Sequence, residues 1–252
     1  MNYDYVVADP TGNITVLVKT PVPAKLQPAV AAEIMEQEKD AEQVGFIYDA
    51  EDADMGLRMA GGEFCGNATL SAGALFACNR GEASCEVAVR VSGAELPLKV
   101  QAEKTCAREY SCSVLLPKPL SIKEQNFNLD GVDCRLPVVD MGGIKHIIVT
   151  DTYEGIDFGK AAVSLCSELG AKALGIMQLD RDAMTLRPLV YVPESGTLFY
   201  ENSCASGSCA AAAYLSQIEE KCGEYAFRQP GGTLRVDVRK DGPVLKGNVR
   251  LR

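Results

Sequence analysis

The sequence predicts an α+β fold made of two pseudo-symmetric domains, each with strands wrapped around one apolar helix. Two similar segments lead to this prediction, because Gly62–Ala68 and Asn202–Ser208 each place a cysteine among small residues. An Ala-rich stretch follows each of them, at 66–78 and at 205–219. Apolar residues on all sides of such a stretch indicate a buried helix. Strand-like segments flank both helices, so the two halves share one layout.

The first half begins with two strands separated by the turn Asp9–Gly12, where proline and glycine favour a reversal. Val30–Lys39 carries apolar residues at helical spacing and predicts an amphipathic surface helix. Gly66–Cys78 is the buried helix of this half. Six segments predict strands, namely Tyr3–Ala8, Asn13–Lys19, Val44–Tyr48, Ser84–Val91, Leu96–Ala102 and Ser111–Leu116.

Pro117–Leu120 interrupts the pattern and marks the predicted boundary between domains 1–117 and 118–252. The last strand, about 244–252, is expected to pack back on the first domain. The second half contains two predicted helices, Phe158–Leu169 and Ala205–Glu219. Its predicted strands are Arg135–Asp140, His146–Thr150, Ala173–Gln178, Leu189–Val192, Thr197–Glu201, Glu224–Arg228, Thr233–Arg239 and Leu245–Leu251.

Composition is that of a soluble globular protein. The chain has 252 residues, of which 47% are hydrophobic and 23% charged. Its net charge of −9 argues against nucleic acid or an anionic membrane as a partner. The N-terminus lacks the basic segment followed by an apolar segment that is typical of a signal peptide. No stretch of the sequence is apolar over a length that would predict a membrane-spanning helix. We therefore predict a cytoplasmic protein that binds neither nucleic acid nor membrane.

Ten cysteines raise the questions of metal binding and disulfides. No Cys-x-x-Cys pair occurs, and only one histidine, His146, could complete a zinc site. Disulfide frameworks belong to short secreted chains. We predict no metal and mostly small, buried, reduced thiols. Cys209 is expected to be one of these structural cysteines.

Cys65 and Cys204 are the candidate catalytic residues, since each precedes a predicted helix. A helix start presents unpaired N–H groups and the positive end of the helix dipole, which together can bind a carboxylate. The same end is expected to lower the pKa of a cysteine thiol. Two such ends facing each other would place one thiol on either side of one carbon. A racemase needs this arrangement of two opposed acid–base groups.

Six sequence motifs, in this order, resemble those of the diaminopimelate epimerase superfamily of cofactor-independent amino-acid racemases, which includes proline racemase and histidine racemases. The resemblance spans nearly the whole chain. The segment that precedes Cys204 is most similar to that of the histidine racemase branch. The matching segments are Gly12-Asn13, Gln43, Cys65-Gly66-Asn67, Met141–His146, Cys204-Ala205-Ser206-Gly207 and Pro230-Gly231-Gly232-Thr233-Leu234.

The resemblance implies strongly curved, mostly antiparallel sheets around the helices, no cofactor, and a small amino acid as substrate. It implies catalytic roles for Cys65 and Cys204, with His146 beside the first and Glu201 beside the second. Whether His146 and Glu201 transfer protons or only position the thiols stays open. The implied substrate-binding residues are Asn13, Gln43, Gly66, Asn67, Asn202, Ala205 and Ser206.

The departures from the family pattern concern the substrate's side chain. Diaminopimelate epimerases carry an Arg where this chain has Asn202, and that Arg holds a distal carboxylate. With Met59 and Asn202 expected to line this side, the pocket should prefer a neutral or aromatic side chain, such as that of histidine. Diaminopimelate epimerase, a phenazine-biosynthesis-type isomerase and a catalytically inactive amino-acid-binding protein are the alternatives. The oligomeric state stays open, a homodimer included.

Overall fold

The structure, a computed structural model, describes residues 3–129, 131–151, 153 and 155–252. Strands dominate this part of the chain, which confirms a mixed α+β fold. The helices are α1 Gln27–Gln37, α2 Gly66–Arg80, α3 Phe158–Glu168 and α4 Ala205–Ile218, with a short 3-10 turn at Ala24–Leu26. The strands are β1 Tyr5–Pro10, β2 Thr15–Val18, β3 Gln43–Tyr48, β4 Met55–Met59, β5 Ser84–Val91, β6 Leu98–Cys106, β7 Glu109–Leu115, β8 Ser121–Leu129, β9 Val132–Asp140, β10 Lys145–Val149, β11 Leu174–Asp180, β12 Thr185–Val192, β13 Thr197–Tyr200, β14 Gly223–Gln229, β15 Gly232–Arg239 and β16 Gly242–Leu251.

The strands pair into one continuous sheet, and one part of this sheet closes on itself. Strands β1 to β7 follow one another in order, and β16 pairs with both β7 and β1. This ring of strands forms a closed barrel, so its members expose no free sheet edge. The sheet continues from β16 through β15, β14, β12, β11, β10 and β9 to β8. Most pairs are antiparallel, as the resemblance implies.

Strand β16 joins the two parts of the sheet. Its residues 242–246 pair with β15, and its residues 244–250 pair with β7 on the opposite edge. Residues 249–251 also pair with β1. One strand therefore carries hydrogen bonds to both halves of the chain.

Helices α2 and α4 each pack against several strands, and small residues allow this close packing. Helix α2 lies against β1, β2, β4 to β7 and β16, and almost all of it is buried. Helix α4 lies against β9, β10, β11, β14, β15 and β16, with ten buried residues in its first three turns. Helix α2 ends at Gly81, whose φ of +68° provides the left-handed C-cap.

Two strands lie where the sequence analysis predicts none. Strand β4 is short, and Gly56 and Arg58 interrupt its apolar pattern. Strand β8 is the edge of the sheet and is mostly polar, because little of it packs into the core. The helices predicted at Phe158–Leu169 and Ala205–Glu219 are confirmed to within one residue.

Among the described residues, no helix combines the length and apolar character needed to cross a membrane.

Candidate active site

Helices α2 and α4 each begin at a cysteine held in the same backbone conformation. Cys65 has φ −132° and ψ 111°, and Cys204 has φ −123° and ψ 109°. Each sulfur accepts a hydrogen bond across the first turn, Cys65 Sγ from Ala68 N and Cys204 Sγ from Gly207 N, both at 3.3 Å. The thiols thus take the place of side-chain N-caps. The N–H groups of the next two residues in each helix have no carbonyl partner within the helix.

The two helix starts face each other across a small cavity. An added Cβ at Gly66 would lie 2.8 Å from Ala205 Cβ, so glycine is what allows the helices to approach this closely. The cavity has a volume of about 20 Å³, which has room for about one water molecule. Its lining residues are Gln43, Glu63, Phe64, Cys65, Gly66, Asn67, Ile144, Val190, Val192, Glu201, Cys204, Ala205 and Ser206.

Two predicted substrate-binding side chains join the two halves of the chain beside this cavity. Gln43 Nε2 donates to Glu201 Oε1 at 2.8 Å. Asn67 Nδ2 donates to the carbonyl oxygen of Ser203 at 3.0 Å. Both bonds connect the surroundings of the first cysteine to the segment that leads into the second. They hold the site in a closed form.

Asn13 and Asn202, two of the predicted substrate-binding residues, do not line this cavity in the described structure. Both instead bind the carboxylate of Glu42, Asn13 through Nδ2 at 2.6 Å and Asn202 through its backbone N at 3.0 Å. Asn202 is exposed on the outer side of this cluster. Met59 is also not a lining residue, because its side chain is fully buried in the core. The expectation that Met59 and Asn202 line the substrate's side chain stays a prediction.

Glu201 lies beside Cys204, and its buried carboxyl group favours the protonated form. Burial raises the pKa of Glu201 to about 8, and the charge of Glu42 acts in the same direction. Hydrogen bonds from Gln43 and from the Cys204 thiol oppose this shift. The carboxyl group can thus gain or lose a proton near neutral pH.

His146 contacts the second helix rather than the first cysteine. Its Nε2 lies 3.0 Å from Ser206 Oγ, which in turn lies 3.6 Å from Cys204 Sγ. Its Nδ1 has no hydrogen-bond partner among the described residues, so neither ring nitrogen bonds Cys65. The ring packs against Gly175, where an added Cβ would lie 2.2 Å from Nδ1. Burial lowers the pKa of His146 to about 3, so the ring is neutral.

Burial raises the pKa of both thiols well above that of a free cysteine. Cys65 is 6% exposed and Cys204 5%, and the charge of Glu201 disfavours both thiolates. The N–H groups of Ala68 and Gly207 act in the opposite direction but with a smaller effect. The expectation of lowered pKa values is wrong for this closed site, because the loss of solvent outweighs the helix start.

Two further side chains belong to the site and were not singled out from sequence. Glu63 lines the cavity two residues before Cys65, and burial raises its pKa. Gln229 Oε1 accepts a hydrogen bond from Cys204 N at 2.8 Å and fixes the start of α4. The spacing of Glu63 from Cys65, similar to that of Glu201 from Cys204, is the signal that could have identified the first. Gln229 is distant in sequence and gave no such signal.

A second cavity of about 220 Å³ adjoins the first and shares five lining residues with it. Glu42, Glu63 and Glu201 are its acidic lining residues, whereas Met35 and Phe199 are among its apolar ones. A larger groove of about 1180 Å³ lies at the far end of α4 and includes neither catalytic candidate cysteine. The shared lining makes the second cavity the natural extension of the site.

All ten cysteines, each within the described part of the chain, are free thiols. In the same residues no group of three or more His, Cys, Asp and Glu side chains is arranged to hold a metal ion.

Comparison with known proteins agrees with this architecture. Residues 2–248 match the family described as the histidine racemase CntK N-terminal domain. A histidine racemase from Fusobacterium nucleatum subsp. nucleatum is 33% identical over 260 aligned positions, which cover 98% of this chain and 93% of the relative. A predicted epimerase from Pseudomonas aeruginosa has a TM-score of 0.74 at 15% identity, covering 100% of this chain and 97% of that chain. A probable proline racemase from Agrobacterium radiobacter has a TM-score of 0.67 at 14% identity, covering 100% and 90%.

The fold, the site and these relatives define the class: the protein is an isomerase, an amino-acid racemase. Within that class, the chain belongs to the histidine racemase CntK N-terminal domain family.

Proposed function

We propose that this racemase interconverts the enantiomers of free histidine with two thiols and without a cofactor. The observation that carries the proposal is that Cys65 and Cys204 start two facing helices and line one cavity. A two-base racemase needs one acid–base group on each face of the α-carbon. One thiolate removes the α-proton while the opposite thiol delivers a proton, and the roles exchange in the reverse direction.

The helix starts are the proposed site of the substrate's α-carboxylate. The N–H groups of Gly66, Asn67, Ala205 and Ser206 are the ones that have no carbonyl partner within their helices. Directed at one carboxylate, they would stabilise the negative charge that moves into it when the α-proton leaves. This stabilisation takes the place of an electron-withdrawing cofactor in the proposal.

Because both thiols are buried away from solvent, their ionisation requires a nearby proton acceptor and a compensating positive charge. Glu201 is the proposed acceptor for the proton of Cys204, since its pKa of about 8 lets it hold a proton near neutral pH. The substrate's α-ammonium group would add the positive charge that favours a thiolate. His146 is proposed to act only through Ser206, as a neutral group that orients this hydroxyl toward Cys204.

We further propose that the chain works as two pseudo-symmetric domains, 1–117 and 118–252, each with a sheet around one central helix, and with β16 shared between them. The packing of α2 and α4 against different sets of strands supports this division. A cavity of about 20 Å³ is too small for an amino acid, so the halves must part to admit one. Closure around the substrate would then exclude water and strengthen the electrostatic contacts.

Histidine is the proposed substrate because the curated relative of this family is a histidine racemase and because the site offers carboxylates beside an apolar wall. An imidazole can donate a hydrogen bond to a carboxylate while its ring packs against Met35 or Phe199. The second carboxylate of diaminopimelate would instead meet Glu42, Glu63 and Glu201. Asn202 offers it no positive charge. We place the enzyme in the cytoplasm, where ten free thiols remain reduced.

The test is exchange of the α-proton in D2O, followed by NMR, with L-histidine, D-histidine, L-proline and meso-diaminopimelate as substrates. The purified protein is used with EDTA and without added pyridoxal phosphate. Histidine should exchange fastest from either enantiomer. Faster exchange of diaminopimelate, or activity that requires an added cofactor or metal, would contradict the proposal.

A further inference from the structure

Glu63 places a buried carboxylate oxygen at the junction of the two cavities. It lines both the cavity that holds the cysteines and the neighbouring one of about 220 Å³. Its Oε2 is buried and has no hydrogen-bond partner within the described residues. A buried acceptor without a partner costs free energy, so we expect a hydrogen-bond donor to reach Glu63 Oε2.

The surroundings of the two cysteines differ in a way that points to this carboxylate. Cys204 has Glu201 as a carboxylate neighbour and Ser206 as a hydroxyl neighbour. Cys65 Sγ accepts from Ala68 N, and His146 is engaged with Ser206 on the other helix. Among the described residues that line the cavity, Glu63, Gln43 and Asn67 each have a buried acceptor oxygen without a hydrogen-bond partner. Of these three, Glu63 is the carboxylate, and it lies two residues before Cys65 in the sequence.

The charged groups around Glu63 are consistent with a carboxyl group that changes its protonation state. Arg58, from β4, is the cation whose charge favours ionisation of Glu63. Glu201 and Cys65 lie close enough for their charges to interact with that of Glu63. Burial has the largest effect and raises the pKa of Glu63.

We propose that Glu63 is the positioning residue that takes the proton of the Cys65 thiol, as the first-half counterpart of the Glu201–Cys204 pair. This inference rests on the proposed two-thiol function. In the step, the Sγ–H bond of Cys65 breaks and an Oε2–H bond forms on Glu63. The resulting Cys65 thiolate then removes the substrate's α-proton, and the Sγ–H bond forms again. The net charge of the thiol–carboxyl pair is unchanged by the first transfer.

A thiol paired with a carboxylate has a distinctive pH dependence of alkylation, since the thiolate is the reactive species. As long as the proton lost by sulfur stays on the carboxyl group, the pair keeps one proton in total, and the fraction of thiolate formed in this way does not change with pH. An unpaired thiol below its pKa instead gains about tenfold in thiolate fraction per pH unit. The two behaviours can be distinguished without measuring turnover.

The experiment measures iodoacetamide alkylation of Cys65 and of Cys204 separately, by peptide mass mapping between pH 6 and pH 10. The variants are Glu63→Gln and the matched Glu201→Gln, beside the wild type. Wild-type Cys65 should show a plateau, which Glu63→Gln should convert to a rise of about tenfold per pH unit. Glu201→Gln should leave that plateau in place and remove the one at Cys204. Glu63→Asp should retain a plateau at Cys65.

Two results would overturn the inference: a wild-type Cys65 profile that rises without a plateau, or a plateau that persists in Glu63→Gln. The wild-type profile is decisive even if a variant fails to fold. Alkylation also separates this inference from the proposed function. A plateau that depends on Glu63 in a protein that does not exchange the α-proton of histidine would support the pairing and reject the substrate.

Discussion

At the scale of single residues, burial rather than the helix dipole sets the protonation of the site. Cys65 and Cys204 are both N-caps, yet the loss of solvent raises the pKa of each thiol. A buried thiolate therefore needs a local partner that accepts the proton. The carboxyl groups of Glu201 and Glu63 line the same cavity as the two cysteines and are the proposed partners. His146 is neutral.

Replacement of either candidate cysteine by serine should lower racemisation by orders of magnitude. A serine hydroxyl is far less acidic than a thiol and cannot serve as the base on its face of the substrate. Cys65→Ser and Cys204→Ser are compared with Cys209→Ser, whose thiol is buried one turn further along α4. Turnover is followed by chiral chromatography. Near-normal turnover in either of the first two variants would exclude the two-thiol mechanism.

Glu201 should make the folded protein less stable as the pH rises. Its pKa is raised from 4.5 to about 8 on folding, so the folded state binds more protons than the unfolded state between these values. The free energy of unfolding therefore falls with rising pH in this window. Between pH 6.5 and 8 the loss should be roughly 1–2 kcal/mol, because the slope of about 1.36 kcal/mol per pH unit falls by half as the pH reaches the pKa of the folded state.

Urea unfolding at pH 6.5 and pH 8 measures this effect, with Glu201→Gln as the comparison. The variant should lose less stability over the same interval, because glutamine does not titrate. Glu42 and Glu63, whose pKa values are also raised, are present in both proteins. Their charges act on Glu201, so the difference between the two proteins reports Glu201 together with its coupling to them. Equal losses in the two proteins would show that Glu201 does not titrate in this range.

At the scale of elements, the site depends on how closely the first turns of α2 and α4 approach each other. Gly66 faces Ala205 and Leu245, where an added Cβ would lie at 2.8 Å and 3.2 Å from their side chains. Both neighbours are fixed by packing, Ala205 in α4 and Leu245 in β16. A side chain at this position must therefore displace one helix start from the other.

Gly66→Ala should reduce both stability and turnover. Overpacking of this kind costs roughly 1–3 kcal/mol, and a displacement of about 1 Å at a catalytic group can cost on the order of a hundredfold in rate. Gly223→Ala is the control, because its added Cβ would find its nearest neighbour, Lys221 Cε, at 3.9 Å. Thermal unfolding and chiral chromatography measure the two effects. Unchanged turnover in Gly66→Ala would mean that catalysis does not depend on how closely the two helix starts approach each other.

An element could be predicted from the sequence when its buried side chains leave a clear local pattern. The helix starts at Cys65 and Cys204 were predictable, since local motifs specify an N-cap and a buried apolar helix. Strands β4 and β8 were not, because a short strand with glycine and a polar edge strand lack the alternating pattern. The hydrogen bond between Asn202 and Glu42 was not predictable either, because the two residues are far apart in the chain. Contacts of this kind arise only from the tertiary fold.

At the scale of the whole molecule, hydrogen bonds between distant segments hold the site closed. Gln43 binds Glu201, Asn67 binds Ser203, and the Glu42 carboxylate binds Asn202. The two cysteines line a cavity of only about 20 Å³ between the helix starts. The opening proposed above would break these bonds, and closure on the substrate would restore or replace them.

Mild oxidation should inactivate the enzyme reversibly by joining Cys65 to Cys204. Two thiols that flank one carbon can come within bonding distance when the site is empty and closed. Diamide treatment should abolish turnover, dithiothreitol should restore it, and bound substrate should protect it. Peptide mapping of the oxidised protein identifies the bond, with Cys209→Ser as a control that should behave as the wild type does. An inactive oxidised protein without a Cys65–Cys204 link would contradict the facing geometry.

The most direct test of the two-thiol account is the position of deuterium early in the racemisation of L-histidine in D2O. Two opposed thiols predict that newly formed D-histidine carries deuterium at Cα, because its proton comes from the thiol on the other face. The remaining L-histidine should keep its original proton over the same interval. Chiral separation followed by mass spectrometry measures both. D-histidine that retains the original proton, or equal early labelling of both enantiomers, would indicate a single shared base and contradict the account.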